Sequence, residues 1–244
     1  MEGAMDNLTI TVIYDNQCCG EGLEVGWGFS AVVSGAEKTI LFDTGRDASV
    51  LDNMQKLSIE PGSIDVIVLS HIHADHTGGL ESFLEKNSQV VVYLPQVFPA
   101  EFKKRVVGHG AQTVELKGPV EICENVHSTG VLGRWMKEQG LVIRTEAGAV
   151  LITGCAHPGA KTMVDAARTC GGGDLLLVMG GFHLEWSTRR KIEKLVSHFK
   201  KSGVRHVGPA HCTGDKARAL FEQHFGRACI KIGAGKVIVA ENLR

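Results

Sequence analysis

Between Ser70 and Leu80 the chain reads Ser-His-Ile-His-Ala-Asp-His-Thr-Gly-Gly-Leu, and no other stretch restricts its fold as much. His71, His73, Asp75 and His76 place four strong metal-ligand side chains within six residues, directly after the apolar run Ile64-Asp65-Val66-Ile67-Val68-Leu69. That run has the length of a buried strand and is short for a helix. The ligands therefore sit where a strand opens into a loop. In extended chain alternate side chains share a side, so His71 and His73 can reach one ion together while Ile72 turns away. Asp75 and His76 lie past the bend and are placed for a second ion, and Gly78-Gly79 allows a tight turn before a helix that starts near Leu80. Imidazole nitrogens with one carboxylate suit zinc first, then iron, manganese or cobalt.

Around this stretch the chain alternates strand-like and helix-like segments. Leu8 to Tyr14 is rich in β-branched residues and reads as a strand. Asp15 to Gly28 is a polar, Gly-rich connection, long enough to serve the mouth of a site. Phe29 to Val33 and Thr39 to Phe42 read as a hairpin turning at Ser34-Gly35 and delivering Asp43-Thr44-Gly45. A helix from Ala48 to Leu57, a break at Pro61-Gly62, a helix from Leu80 to Lys86 and a strand from Val90 to Leu94 follow. Pro95 to Gly140 is the least regular region, read as sheet edge plus substrate-facing loop, with Trp135 and Met136 as core filling or pocket walls.

The second half repeats the logic of the first. Leu141 to Arg144 and Val150 to Thr153 form a hairpin ending at Gly154-Cys155-Ala156-His157, and a helix from Ala160 to Arg168 leads to a strand from Leu175 to Met179. A further helix, with Ser187 as its N-cap, carries Ile192, Leu195, Val196 and Phe199 at the spacing of one apolar face. Val204 to Val207 then leads to Pro209-Ala210-His211-Cys212. Each half builds a small sheet with helices outside, and two facing halves give an α/β fold of four αββα layers related by a pseudo-two-fold.

Composition narrows the function class. With 244 residues and 43% hydrophobic content the chain suffices for one domain spanning 1–244. A net charge of −1 leaves no electrostatic footprint for nucleic acid or an anionic membrane. The basic clusters Lys103-Lys104-Arg105, Arg189-Arg190-Lys191 and Lys200-Lys201 read as solvated helix faces. No apolar run approaches a membrane span, and Met1 to Asn7 lacks the basic and apolar regions of a signal peptide. Seven cysteines, odd in number and irregularly spaced, point to reduced thiols in the cytoplasm. A small-molecule substrate is the expected partner, and a homodimer is an ordinary outcome.

His71-Ile72-His73-Ala74-Asp75-His76 resembles the His-X-His-X-Asp-His signature of the metallo-β-lactamase superfamily. Leu41-Phe42-Asp43-Thr44-Gly45, Thr153-Gly154-Cys155-Ala156-His157-Pro158-Gly159, Gly180-Gly181-Phe182-His183-Leu184 and Ala210-His211-Cys212-Thr213-Gly214 resemble its dihydropterin ribofuranosyl-aminobenzene phosphate synthase-like branch. The resemblance implies the four-layer sandwich and two divalent ions, zinc first with iron or manganese next. It implies that His157 joins His71 and His73 at one ion, and that His211 joins Asp75 and His76 at the other. Asp43 would hydrogen-bond a ligand; the alternative is a turn residue before Gly45.

Three departures from the pattern shape the expectation. Where many relatives carry a Pro-Gly-His turn, this chain has Ser128-Thr129-Gly130-Val131, with His127 nearby but ahead of the turn. Cys155 stands where a bridging aspartate is common, and it binds as thiolate, lines the site, or leaves the bridge to water. Trp27 stands where branch relatives carry histidine, which makes it a substrate-facing residue. The implied chemistry is hydrolysis of a small ester, lactone or phosphoester by water activated between two ions, with Asp75 holding its proton. His183 is either a ligand or, as favoured here, an acid or base facing the substrate. A pterin-related condensing synthase and a non-catalytic metal-binding or ligand-sensing protein are the alternatives.

Overall fold

The structure, a computed structural model, describes residues 8–244, so the reading of Met1 to Asn7 lies outside the described residues. Six strands of the first sheet follow one another: β1 (Thr9–Tyr14), β2 (Ser30–Ser34), β3 (Ile40–Phe42), β4 (Val66–Val68), β5 (Val91–Pro95) and β6 (Gln112–Leu116). The second sheet holds β7 (Val120–Cys123), β8 (Val126–Ser128), β9 (Leu141–Thr145), β10 (Gly148–Thr153), β11 (Leu175–Gly181) and β12 (His206–Ala210). A last strand, β13 (Val237–Val239), returns to the first sheet and pairs antiparallel with β1. The orders are β13-β1-β2-β3-β4-β5-β6 and β12-β11-β10-β9-β8-β7. In each sheet an antiparallel hairpin, β2-β3 or β9-β10, runs straight into parallel strands.

Strand alternation decides which residues fill which layer. Ile10, Val12, Phe42, Val150 and Ile152 point between the sheets and build one core there. Their neighbours Leu41, Ile67, Leu151 and Val178 point outward, under helices. On the first sheet these are α1 (Ser49–Lys56), α3 (Leu80–Lys86) and α4 (Ala100–Gly108); on the second, α5 (Ala160–Gly171), α6 (Arg189–Lys201) and α7 (Asp215–Phe225). A one-turn helix, α2 (Ala74–Thr77), carries Asp75 and His76. The four layers are those the two-half pattern predicts. Each buried leucine, valine, isoleucine or phenylalanine adds about 1.5–3 kcal/mol, so the layers rest on their three apolar interfaces.

Three readings are corrected. Pro95 to Gly140 is more regular than expected, holding α4 and three strands. Trp135 is 90% exposed and stands outside the core, its ring carrying the Arg134 guanidinium at 5.4 Å. Thr188, not Ser187, caps α6, its hydroxyl accepting from the Lys191 N–H at 3.4 Å. Gly78 and Gly79 also have a different task from turning: both are helical in backbone (φ −70° and −82°). A Cβ on Gly78 would meet the Arg46 carbonyl oxygen at 1.9 Å and one on Gly79 the Thr44 oxygen at 2.2 Å, so glycine here permits close approach of two backbones.

Candidate metal centre

The chemistry-bearing residues gather where strands end along one edge of the sandwich. β1 delivers Asp15 and Asn16, β3 delivers Asp43, and β4 delivers Ser70, His71 and His73. From the other sheet, β10 delivers Cys155 and His157, β11 delivers His183, and β12 delivers His211 and Cys212. Of six non-glycine residues with positive φ among the described residues, four lie here: Asp43 (54°), Ala156 (58°), His183 (50°) and His211 (43°). Such conformations persist where the surroundings enforce them, and they cluster at functional sites.

Two sets of donors form. His71, His73 and His157 bring one ring nitrogen each to within 4.8 Å of one another. Asp75, His76, Cys155 and His211 do the same with oxygen, nitrogen and sulfur. The structure thus brings His71, His73 and His157 together, and Asp75, His76 and His211, in the groups drawn from the sequence, while Cys155 joins the second group rather than spanning both. A third set, Cys155, His183 and Cys212, shares the Cys155 thiol with the second. His127 stays on β8, paired with Glu121 across the β7-β8 hairpin and in none of these groups.

The first set is built for a lone pair acceptor. The Ser70 hydroxyl donates to Asp43 Oδ2 at 2.7 Å, so at 2.9 Å it accepts from His71 Nδ1, leaving His71 Nε2 free. That nitrogen lies 3.1 Å from His73 Nδ1. His157 Nε2 is buried with no hydrogen-bond partner. Burial lowers the pKa of His71 and His73, and burial with the facing His183 brings His157 down to about 4. The three imidazoles are neutral at pH 7, the state in which they ligate a metal. An orphaned buried nitrogen beside two more, with no other use in the fold, fits a divalent cation.

The second set is held by carboxylates. Asp43 is buried and accepts from the Ser70 N–H at 2.7 Å and from His76 Nδ1 at 2.7 Å. His76 Nε2 then faces His211 Nε2 at 3.3 Å, Cys155 Sγ at 3.3 Å and Asp75 Oδ2 at 3.5 Å. Burial alone would push His76 down, but the Asp43 carboxylate and then Asp75 overcome it and raise its pKa to about 10. Burial likewise pushes Asp75 up, and the hydrogen bonds from His211 and His76 outweigh it, so its carboxyl stays below the usual range. The Cys155 thiol is pushed up by its hydrogen bond to Cys212 and by burial. His211 is aimed by Asn16, whose Oδ1 lies 2.9 Å from Nδ1, and by Asp15, which accepts from its N–H at 2.7 Å. Trp27, 45% exposed, stands edge-on to His211 with ring centroids 4.9 Å apart.

Sequence reasoning did not single out Ser70, Asp15, Asn16 or Glu138. Ser70 acts on its neighbour His71, and the others act on groups far along the chain, Asp15 and Asn16 on His211 and Glu138 on the 155–157 loop. Their one shared signal is a polar residue next to a strand end.

A family model for the metallo-beta-lactamase superfamily matches residues 25–197. The chain belongs to that superfamily. It is 31% identical over 251 residues to the 7,8-dihydropterin-6-methyl-4-(beta-D-ribofuranosyl)-aminobenzene-5'-phosphate synthase of Methanocaldococcus jannaschii, covering 84% of this chain and 85% of that one. A crystal structure described as a metal-dependent hydrolase of the beta-lactamase superfamily superposes with a TM-score of 0.78 at 30% identity, over 95% of this chain and 98% of that one. A metallo-beta-lactamase fold protein of Bacillus subtilis, 14% identical with a TM-score of 0.73 over 96% of this chain and 100% of that one, shares the fold.

Proposed function

We propose that the protein is a metallo-hydrolase that holds two divalent ions, zinc first, and cleaves a small ester, lactone or phosphoester. The observation that carries this reading is the pair of adjacent donor sets, one of them ending in the unpartnered nitrogen of His157. His71, His73 and His157 would hold one ion, and Asp75, His76, His211 and the Cys155 thiol the other. When bound, such ions acidify a shared water and polarise the carbonyl or phosphoryl oxygen under attack.

The chain's own residues supply the rest. Asp75, ionised at pH 7 and 3.2 Å from His211, takes the proton of the attacking water. His183 stands between a cavity of about 300 Å³, lined by His157, Phe182, Lys191 and Lys194, and one of about 200 Å³, lined by Trp27, Glu185 and Trp186. Its Cys212 hydrogen bond raises its pKa, so it can give a proton to the leaving group. Trp27 walls the second cavity and faces the substrate. A reduced cytoplasmic enzyme with a small-molecule substrate, no nucleic acid and no membrane partner completes the reading.

Elemental analysis with a turnover screen tests it. Purified protein should carry about two ions per chain and its His157→Ala variant about one. The loaded protein should hydrolyse members of an ester, lactone and phosphoester panel and stop on chelation. His183→Ala should lose turnover and keep its metal; lost metal would make His183 a ligand with Cys155 and Cys212. Identity to the methanogen synthase favours a second reading, a pterin-related condensation. A loaded protein inert toward water on the whole panel, yet active in condensing a pterin-type pyrophosphate, would put that reading first.

A further inference from the structure

Glu138 lies on the irregular approach to β9, fully buried, with no charged partner within 4 Å among the described residues. Its carboxylate instead accepts three consecutive backbone N–H groups: Cys155 at 2.9 Å and Ala156 at 2.8 Å on Oε1, and His157 at 2.8 Å on Oε2. They converge because Ala156 is left-handed (φ 58°), which curls the loop into a nest of donors of the kind that binds anions. Here the chain supplies the acceptor oxygens itself. The next residue reaches the other way. Gln139 donates from Nε2 to the Leu69 carbonyl at 2.9 Å and from its N–H to the Ser70 carbonyl at 3.0 Å, while its Oε1 accepts from the Ser128 hydroxyl at 2.5 Å.

One dipeptide is thus bonded to both ligand-bearing loops, the one after β4 with His71 and His73 and the one after β10 with Cys155 and His157. We propose that Glu138-Gln139 is a positioning strut that sets the distance between these two loops and holds the His157 loop in its ligating shape before any ion arrives. A carboxylate is required chemically. Glutamine at 138 has one acceptor oxygen, so whichever way its amide turns, an N–H meets a loop N–H; aspartate falls one methylene short. The inference rests on the reading of His157 as a metal ligand and adds what orients it.

The test compares Glu138→Gln with Ile238→Ala, a buried change in the edge strand β13, which pairs with β1 and with neither ligand-bearing strand. Zinc affinity is measured by chelator competition, and coordination by the visible spectrum of the cobalt-loaded protein. Glu138→Gln should weaken the ion at His71, His73 and His157 at least tenfold, as loss of ligand-orienting contacts does, and alter the cobalt bands. Ile238→Ala should lower the unfolding midpoint and leave both readouts alone. Parent-like affinity and spectrum in Glu138→Gln overturn the inference while leaving the metal centre standing; a parent that takes up no ion overturns both. Should Glu138→Gln not fold, amide exchange on metal-free parent decides. Protection of the 155–157 amides without zinc supports the strut, and protection that appears only on adding zinc overturns it.

Discussion

His76 shows how a single residue carries both the electrostatics and the readiness of the centre. Without metal it sits as an imidazolium between Asp43 and Asp75, its pKa raised to about 10. A pKa raised above the unfolded value of about 6.5 adds stability that is complete below that pH and is lost as pH rises through the folded value. The metal-free protein should therefore lose stability between about pH 7 and 10. The same proton must leave before Nε2 can ligate, so metal affinity at this set should climb over the same window. His71, His73 and His157, already neutral, release none. Zinc titrations at pH 8 in two buffers of different ionisation enthalpy should report proton release that falls by up to one proton in Asp43→Asn, where the carboxylate that holds the imidazolium is gone. Unchanged release in that variant would remove Asp43 from this role.

At the scale of elements, the centre depends on how closely α2 and α3 press on the segment after β3. Gly79 faces the Thr44 and Asp47 carbonyls, where a Cβ would sit 2.2 and 2.8 Å from oxygen. Gly79→Ala should cost on the order of 2 kcal/mol or more through forced displacement, and Gly62→Ala, with open space around it, should stay within about 0.5 kcal/mol. Denaturant midpoints of the two variants give the comparison, and equal midpoints would refute the close-approach account. The strands that deliver the ligands, and their loops, were readable because β-branched runs and metal-ligand spacing are local signals, while β7, β8 and β13 were not read. The strut was not, since Glu138 works on amides 17 to 19 residues away and leaves no periodic trace. Helix α4 was hidden by its lack of an apolar face, Val106 being its one buried residue, whereas α7 carries Ala217, Leu220 and Phe221 at helical spacing and could have been found.

In the whole molecule, each of the two donor sets proposed to hold metal draws on both halves. His71 and His73 come from the first sheet and His157 from the second; Asp75 and His76 from the first, Cys155 and His211 from the second. The repeated hairpin-then-ligand order made this arrangement legible from sequence, because two like halves can bury their sheets only against each other. An ion at either set is then a staple across the central core and binds only the folded state. Linkage makes that stabilisation about 4 kcal/mol when free zinc is a thousandfold above its dissociation constant, or on the order of 10 °C in midpoint for a chain of this size. Zinc should raise the thermal midpoint of the parent in a single transition, raise that of His157→Ala by roughly half as much, and lose its effect on chelation. A midpoint indifferent to zinc in protein shown to hold it would mean that the unfolded chain binds the ion as tightly as the folded one, so that bringing the two halves together adds nothing to its affinity.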